Sequence, residues 1–241
     1  MEVLSVIQNW RRPANVARVV DAIRSQTVPS KLAIVDCAIE PEFTLPPDVL
    51  AKADYVFRVE RANLGPCCRF IPSMMVPQIP LTMFWLDDFL PGNRCLESFM
   101  RYSQPIIDGE FATLGQDGRR VGDDGVIVRR RLKATSDWPV PADVIVSSEL
   151  CLTGHVSHAI SFRDFLVREY GSDGISLFED DLYLCLGIRR KIKMPSFVFA
   201  PADELESGRA VQLPSPFALA GRPDHDTRRT EFINKAMKWV V

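Results

Sequence analysis

The sequence predicts an α/β protein with a mixed, mostly parallel sheet flanked by helices. Three observations carry that prediction. Val3 to Trp10, Asn15 to Arg24 and Lys31 to Asp36 read as strand, helix and strand in close succession, the spacing of a parallel βαβ unit. The apolar run Leu81 to Leu86 stops abruptly at two carboxylates, Asp87 and Asp88, as a buried strand does at a sheet edge. Strand-like runs and helical periodicities then alternate along the chain.

Val3-Leu4-Ser5-Val6-Ile7-Gln8-Asn9-Trp10 is apolar until it meets a polar turn closed by Arg11-Arg12-Pro13. Between Asn15 and Arg24, Val16, Val19, Val20 and Ile23 recur at i, i+3, i+4 and i+7, one face of a helix. Lys31-Leu32-Ala33-Ile34-Val35-Asp36 is a second strand that ends in Asp. Glu40 to Pro47 is Pro-rich and reads as loop. Tyr55 to Val59 is a third, short strand, Asn63 to Pro66 a turn and Cys67 to Met75 a helix. After the Leu81 strand, Cys95 to Ser103 reads as helix and Glu110 to Leu114 as strand. Gln116 to Gly125 is polar and Gly-rich, and reads as a mobile surface loop; no buried strand precedes its Asp123-Asp124 pair. Val126 to Arg130 and Val144 to Val146 are strand-like, and Ser161 to Tyr170 is helical. Glu179, Asp180 and Asp181 open an amphipathic helix that runs to Leu186, and Phe197 to Pro201 is a late strand. Glu204 to Pro223 looks like extended linker. Thr227 to Val241 reads as a C-terminal helix with Phe232, Ile233, Ala236 and Trp239 on its apolar face.

Composition narrows the function classes. A chain of 241 residues allows one large α/β domain or two small ones. Its hydrophobic content of 46% and charged content of 25% are ordinary for a globular protein with a self-supporting core. A formal net charge of -2 argues against a nucleic-acid binder that neutralises phosphates. No apolar run approaches bilayer-spanning length and no basic segment opens the chain, so a soluble, cytoplasmic protein without an integral membrane segment is expected. Cys37, Cys67, Cys68, Cys95, Cys151 and Cys185 lack paired zinc-site spacing and read as reduced core thiols.

Two acidic stretches admit a structural and a chemical reading. Asp is depleted from strands, so Asp87 and Asp88 at a strand's end need a reason. They either cap the helix that follows Pro91 or hold a hard divalent cation against a substrate's phosphates. The acids at 179–181 either complement a helix dipole, stabilising it by about 0.3–1 kcal/mol each, or present a carboxylate to a crevice. Arg11 and Arg12 are either solvated charges or, at least one of them, a ligand contact. Of the tryptophans, Trp85 and Trp239 read as core, and Trp138 is the one to test for stacking on a sugar.

In order and spacing these pieces resemble the GT-A nucleotide-sugar glycosyltransferases, the family-2-like group and in places the exostosin-like group. Asn9-Trp10-Arg11-Arg12-Pro13 resembles the family's first βα loop, and Gln26 to Pro29 with Leu32 to Asp36 its second strand. Asn63-Leu64-Gly65 with Arg69 resembles the Asn-x-Gly turn and the helix after it. Trp85-Leu86-Asp87-Asp88-Phe89-Leu90-Pro91 resembles the DxD motif, and Phe178-Glu179-Asp180-Asp181 the Glu-Asp motif on the acceptor side. The set spans residues 3 to 190. One departure stands out: the family commonly shows Asp-x-Asp or three Asp in a row. Registering on Pro91 puts Asp88 at the metal-binding last Asp and Leu86 at the first; registering on the strand puts Phe89 there. The first register is preferred, and the role of Asp87 stays open.

The resemblance implies a single GT-A (Rossmann-like) domain over 1–241. Residues 1–92 would form a nucleotide-sugar-binding half, 93–200 an acceptor-side half, and 201–241 a C-terminal extension and helix. It implies a UDP- or GDP-linked sugar donor, a glycan or glycoconjugate acceptor, and Mn²⁺ or Mg²⁺ held by Asp88 and Asp87, with His225 a further candidate by position. Gln8, Asn9, Arg11, Asp36, Asn63, Arg69 and Asp87 fall where the family's donor contacts arise. Asp180, or Asp181 one register away, would be the base of a metal-dependent and inverting transfer, the retaining outcome remaining open. Two alternatives stand beside it. A catalytically degenerate binding or scaffold protein would keep the fold and shorten the Asp motif. A sugar nucleotidyltransferase would carry a Gly-rich, Lys-containing phosphate loop, which Asn9 to Pro13 does not offer.

Overall fold

The computed structural model describes residues 1–59, 65–107, 113–122, 132, 138–145, 150–154, 184–185, 196–214, 224 and 227–231. Strand β1, Val3–Asn9, is buried along almost its whole length. Helix α1, Pro13–Arg24, starts on a proline at its first turn and buries Val16, Val19, Val20 and Ile23, the apolar stripe read from the sequence. Strand β2, Lys31–Asp36, returns parallel to β1, with Ile7 opposite Ile34 and Asn9 opposite Asp36. Helix α2, Pro47–Leu50, and strand β3, Tyr55–Arg58, follow, β3 parallel to β2 at the sheet's edge. Pro66–Phe70 is a 3-10 turn that leads into α3, Ile71–Met75, where one continuous helix is expected from the sequence; Pro72 falls at the join. Strand β4, Leu81–Phe84, then lies parallel to β1 on the side away from β2, with Val6 opposite Phe84.

Apolar side chains alternate between two cores, as the two-residue period of a strand requires. Leu4, Val6, Ala33, Val35 and Phe84 face one layer, with Cys67, Cys68 and Phe70; Phe70 meets Phe84 edge to face at 5.5 Å. Val3, Ile7, Leu32, Ile34, Leu81 and Met83 face the other, built on α1 and on α4, Cys95–Ile107. Runs apolar on both faces are what a sheet covered on both sides demands. Trp85 is core, as expected, and all six cysteines are buried free thiols.

Beyond β4 the chain adds β5, Phe89–Leu90; β6, Thr113–Gly115; β7, Gly118–Arg119; β8, Val140–Ala142; β9, Val144–Ile145; β10, Cys151–Gly154; β11, Ser196–Val198; and β12, Val211–Gln212. The main sheet has eight strands in the order β3-β2-β1-β4-β10-β6-β11-β8. It is parallel from β3 to β4 and between β6 and β11, and antiparallel at β4-β10, β10-β6 and β11-β8. The mixed α/β architecture is the expected one. Among the described residues no helix is long and apolar enough to cross a membrane.

Two expectations are corrected. The stretch from Gln116 to Val121 is not a mobile surface loop. Gly118 and Arg119 form β7 against β9, Asp117 pairs with Arg209 at 3.2 Å, and Gln116 holds the Glu206 carbonyl and the Gly208 N–H. The linker reading of 204–223 also fails over its described part. Residues 201–214 form a strap over the start of α4, closed by β12 on β5. The exposed Arg101 guanidinium donates two bonds to the carboxylate of Glu206, which is itself only 4% exposed. Gly92 donates to the Ser207 carbonyl and Arg94 to that of Leu205. A Cβ at Gly92 would strike the carbonyl oxygens of Glu204 and Leu205, so the close approach requires glycine there. The expected strand 126–130 and helix 161–170 lie outside the described residues, as does most of the helix expected at 178–186, of which only 184–185 are described; 227–231 of the expected C-terminal helix is helical.

Candidate functional site

The order of the sheet reverses between β1 and β4. From β1 the chain winds outward to β2 and β3, then returns to place β4 on the other flank. At such a switch point the loops leaving two neighbouring parallel strands part in opposite directions, and a crevice opens at their C-terminal ends. Here the loops are Trp10 to Arg12 and Trp85 to Asp88.

Both sets of side chains are fixed by local structure. Pro13 occupies the first turn of α1 and sets Arg12 at the helix's N-cap, where its side chain makes no capping bond. On the other strand the ladder continues one residue past β4, with the Trp85 N–H on the Val6 carbonyl at 3.0 Å. Asp87 and Asp88 therefore emerge just beyond the sheet. Arg12 Nη1 lies 2.7 Å from Asp87 Oδ1 and 3.9 Å from Asp88 Oδ2. The carboxylates are 22% exposed and the guanidinium 13%, so the cluster is largely shielded from water. Burial pushes the Asp87 carboxyl above the usual range; the Arg12 guanidinium opposes that push, the Asp88 charge adds to it, and the Arg69 charge opposes it. The strap reaches this point too. Leu213 donates its N–H to the Asp88 carbonyl at 2.7 Å, and Asn15 donates its side-chain amide to the Pro214 carbonyl.

The expected donor contacts are placed differently from one another. Asn9 is fully buried, and its Nδ2 donates to Asp36 Oδ1 at 2.8 Å and to the Phe43 carbonyl at 2.9 Å, so it ties the ends of β1 and β2 to the loop that follows β2. Gln8 Nε2 donates to the Gly65 carbonyl at 3.0 Å; Gly65 has φ 67°, a left-handed conformation that suits glycine. Gln8 Oε1 and Asn9 Oδ1 are buried acceptors that receive no donor among the described residues. Arg11 bonds Glu40 Oε1 at 2.7 Å and lies over the rings of Trp10, at 4.8 Å, and Phe43, at 5.5 Å. That bond holds the Glu40 carboxyl below its usual range. Arg69 is 7% exposed and donates through Nε to the Pro66 carbonyl. Asn63, Asp180, Asp181 and His225 lie outside the described residues. Trp138 is 61% exposed.

Arg12 is the site residue that sequence reasoning does not single out. Arg11 and Arg12 are chemically alike and adjacent; only Pro13, which fixes where α1 begins, distinguishes the one that faces the Asp pair. The arrangement presents hard oxygen ligands and cationic groups together at a sheet edge, the chemistry that binds and neutralises phosphate.

No family model matches the sequence, and no curated protein matches it. Among solved structures the fold is similar to that of S. aureus TarS, a glycosyltransferase, with a TM-score of 0.53 and 10% identity over 83% of this chain. The structure of S. aureus TarS 1-349 gives a TM-score of 0.52, again at 10% identity over 83% of this chain. The chain spans 35% of the first TarS chain and 61% of the second. The likeness is one of fold.

Proposed function

We propose that this chain is a GT-A glycosyltransferase that moves a sugar from a UDP- or GDP-linked donor to a hydroxyl of a glycan or glycoconjugate. One observation carries the reading: Asp87 and Asp88 meet Arg12 at the switch point between β1 and β4. The likeness to TarS supports it.

The donor set fits a divalent cation. Among the described residues no group of three or more His, Cys, Asp or Glu gathers, so Asp88 and Asp87 would supply two hard oxygens and phosphates and water the rest. That is how Mg²⁺ or Mn²⁺ is held beside a substrate diphosphate. Bound there, the cation would act as a Lewis acid that offsets charge on the departing nucleoside diphosphate. Arg12 and Arg69 bring fixed positive charge to the same place and orient the phosphates by hydrogen bonds. Gln8 and Asp36, at the ends of β1 and β2, would face the nucleoside, with Asn9 holding Asp36 in position. Asp180, or its neighbour Asp181, would take the proton from the acceptor hydroxyl as that oxygen attacks the anomeric carbon.

Calorimetric titration with UDP and GDP, with and without Mn²⁺, tests the donor site. The expected outcome is metal-dependent binding of one nucleotide that Asp88→Asn abolishes. Heat-silent titrations with both would overturn the reading. Asp180→Asn should bind nucleotide as the parent does and lose transfer; full turnover in that variant would remove Asp180 from the mechanism.

A further inference from the structure

Arg12 stands where a cation would have to sit. Its Nη1 reaches Asp87 Oδ1 at 2.7 Å and Asp88 Oδ2 at 3.9 Å, so one guanidinium nitrogen faces both carboxylates. A divalent cation binds carboxylate oxygens at about 2.0–2.6 Å, so ion and guanidinium compete for the same lone pairs on Asp87. Two positive centres that close also repel, even at the damped dielectric of a protein surface. The charges around the cluster balance without a ligand. Asp87 and Asp88 carry two negative charges, Arg12 and Arg69 two positive ones, and the Arg69 charge acts on Asp87. Adding a divalent cation alone unbalances the site, whereas a diphosphate added with it brings negative charge that offsets the cation. A guanidinium released from a carboxylate also has a natural second partner, since its planar fork matches phosphate oxygens as it matches carboxylate oxygens.

We infer that Arg12 is a resident counter-ion that a metal ion must displace from Asp87, and that the nucleoside diphosphate receives it, so that cation and nucleotide bind as a unit and the cation alone binds weakly. This inference rests on the donor-site reading above and adds an order to it. The loop geometry supports the exchange. Arg12 is the N-cap residue of α1, anchored by its backbone carbonyl to the Val16 N–H at 3.0 Å. Its side chain makes no capping bond, so swinging from carboxylate to phosphate leaves the helix intact.

The test is Mn²⁺ binding by wild type, Arg12→Gln, Arg12→Met and Arg12→Lys, read from the electron paramagnetic resonance signal of free MnCl2, first alone and then with UDP or GDP. Circular dichroism identifies the variants that fold, and Arg12→Met keeps the apolar stem should Arg12→Gln fail. Removing the charge is expected to tighten MnCl2 binding in the absence of nucleotide by about tenfold or more, while Arg12→Lys stays near wild type. The factor by which nucleotide tightens MnCl2 binding should fall in both neutral variants. Unchanged or weaker MnCl2 binding in the folded neutral variants would overturn the displacement. Failure of UDP and GDP to bind any of the proteins would count against the donor reading instead, and leaves the comparison of MnCl2 affinities to decide the role of Arg12.

Discussion

Asp87 and Glu206 are two carboxylates whose surroundings push them in opposite directions. Burial raises the Asp87 carboxyl although Arg12 sits 2.7 Å away. Its folded pKa lies above the unfolded value near 3.9, so its ionisation lowers stability. That penalty is absent below the unfolded value and grows as pH rises through the raised one. Glu206 is the reverse: two bonds from Arg101 hold its carboxyl below the usual range. Its contribution is present above the unfolded value near 4.3 and lost as pH falls through the lowered one. Urea unfolding at several pH values separates the two. Wild type should lose stability relative to Asp87→Asn as pH rises from the unfolded Asp value towards neutrality, and gain stability relative to Glu206→Gln as pH rises out of the acid range. A shared direction of change for both variants would contradict the electrostatics described here. At neutral pH Glu206→Gln should cost about 2 kcal/mol, as expected for lost charge-assisted bonds, or a Tm lower by about 4–8 °C.

At the level of elements, the strap over 201–214 joins distant parts of the chain to the site. It grips the start of α4 through Gly92 and Arg94, and it ends on the Asp88 carbonyl through Leu213. Gly92→Ala forces a methyl group into the carbonyls of Glu204 and Leu205. Overpacking of this kind costs about 1–3 kcal/mol, to be read as a lower urea midpoint. The same variant should weaken nucleotide binding, because β12 pairs with β5 directly after the Asp pair. Unchanged affinity would mean that the strap and the site are independent. The strap also shows where the sequence stops being legible. Strands β1 and β2 can be read directly because their apolar runs are dictated by burial on both faces. The strap has no such period. Its order comes from partners about a hundred residues away, Arg101 for Glu206 and Gln116 for Gly208, and local sequence carries no trace of them. For the same reason Gln116 to Arg119 reads as a loop, although the strap and β9 hold it in place. Arg12 is legible only in hindsight, through the proline that follows it.

For the whole molecule, the doubly wound order places β1 and β4 side by side, and a site follows from that adjacency whatever the chemistry turns out to be. The sequence anticipates the α/β class and the Asp pair because both depend on short-range pattern. Which cation or base meets that pair depends on how loops from separate elements converge, and Asp180 and Asp181 belong to a stretch the described structure does not reach. The crevice is proposed to take a nucleoside diphosphate together with a metal ion. The most direct test is a thermal-shift screen of nucleoside diphosphates and their sugars, each with Mn²⁺ or with EDTA. A ligand that binds only the folded state at about 100 times its Kd adds ~2.7 kcal/mol, about 5–10 °C for a chain of this size. Such a shift is expected for UDP or GDP with Mn²⁺, as is its loss with EDTA or in Asp88→Asn. A Tm that no nucleotide moves under either condition would contradict it.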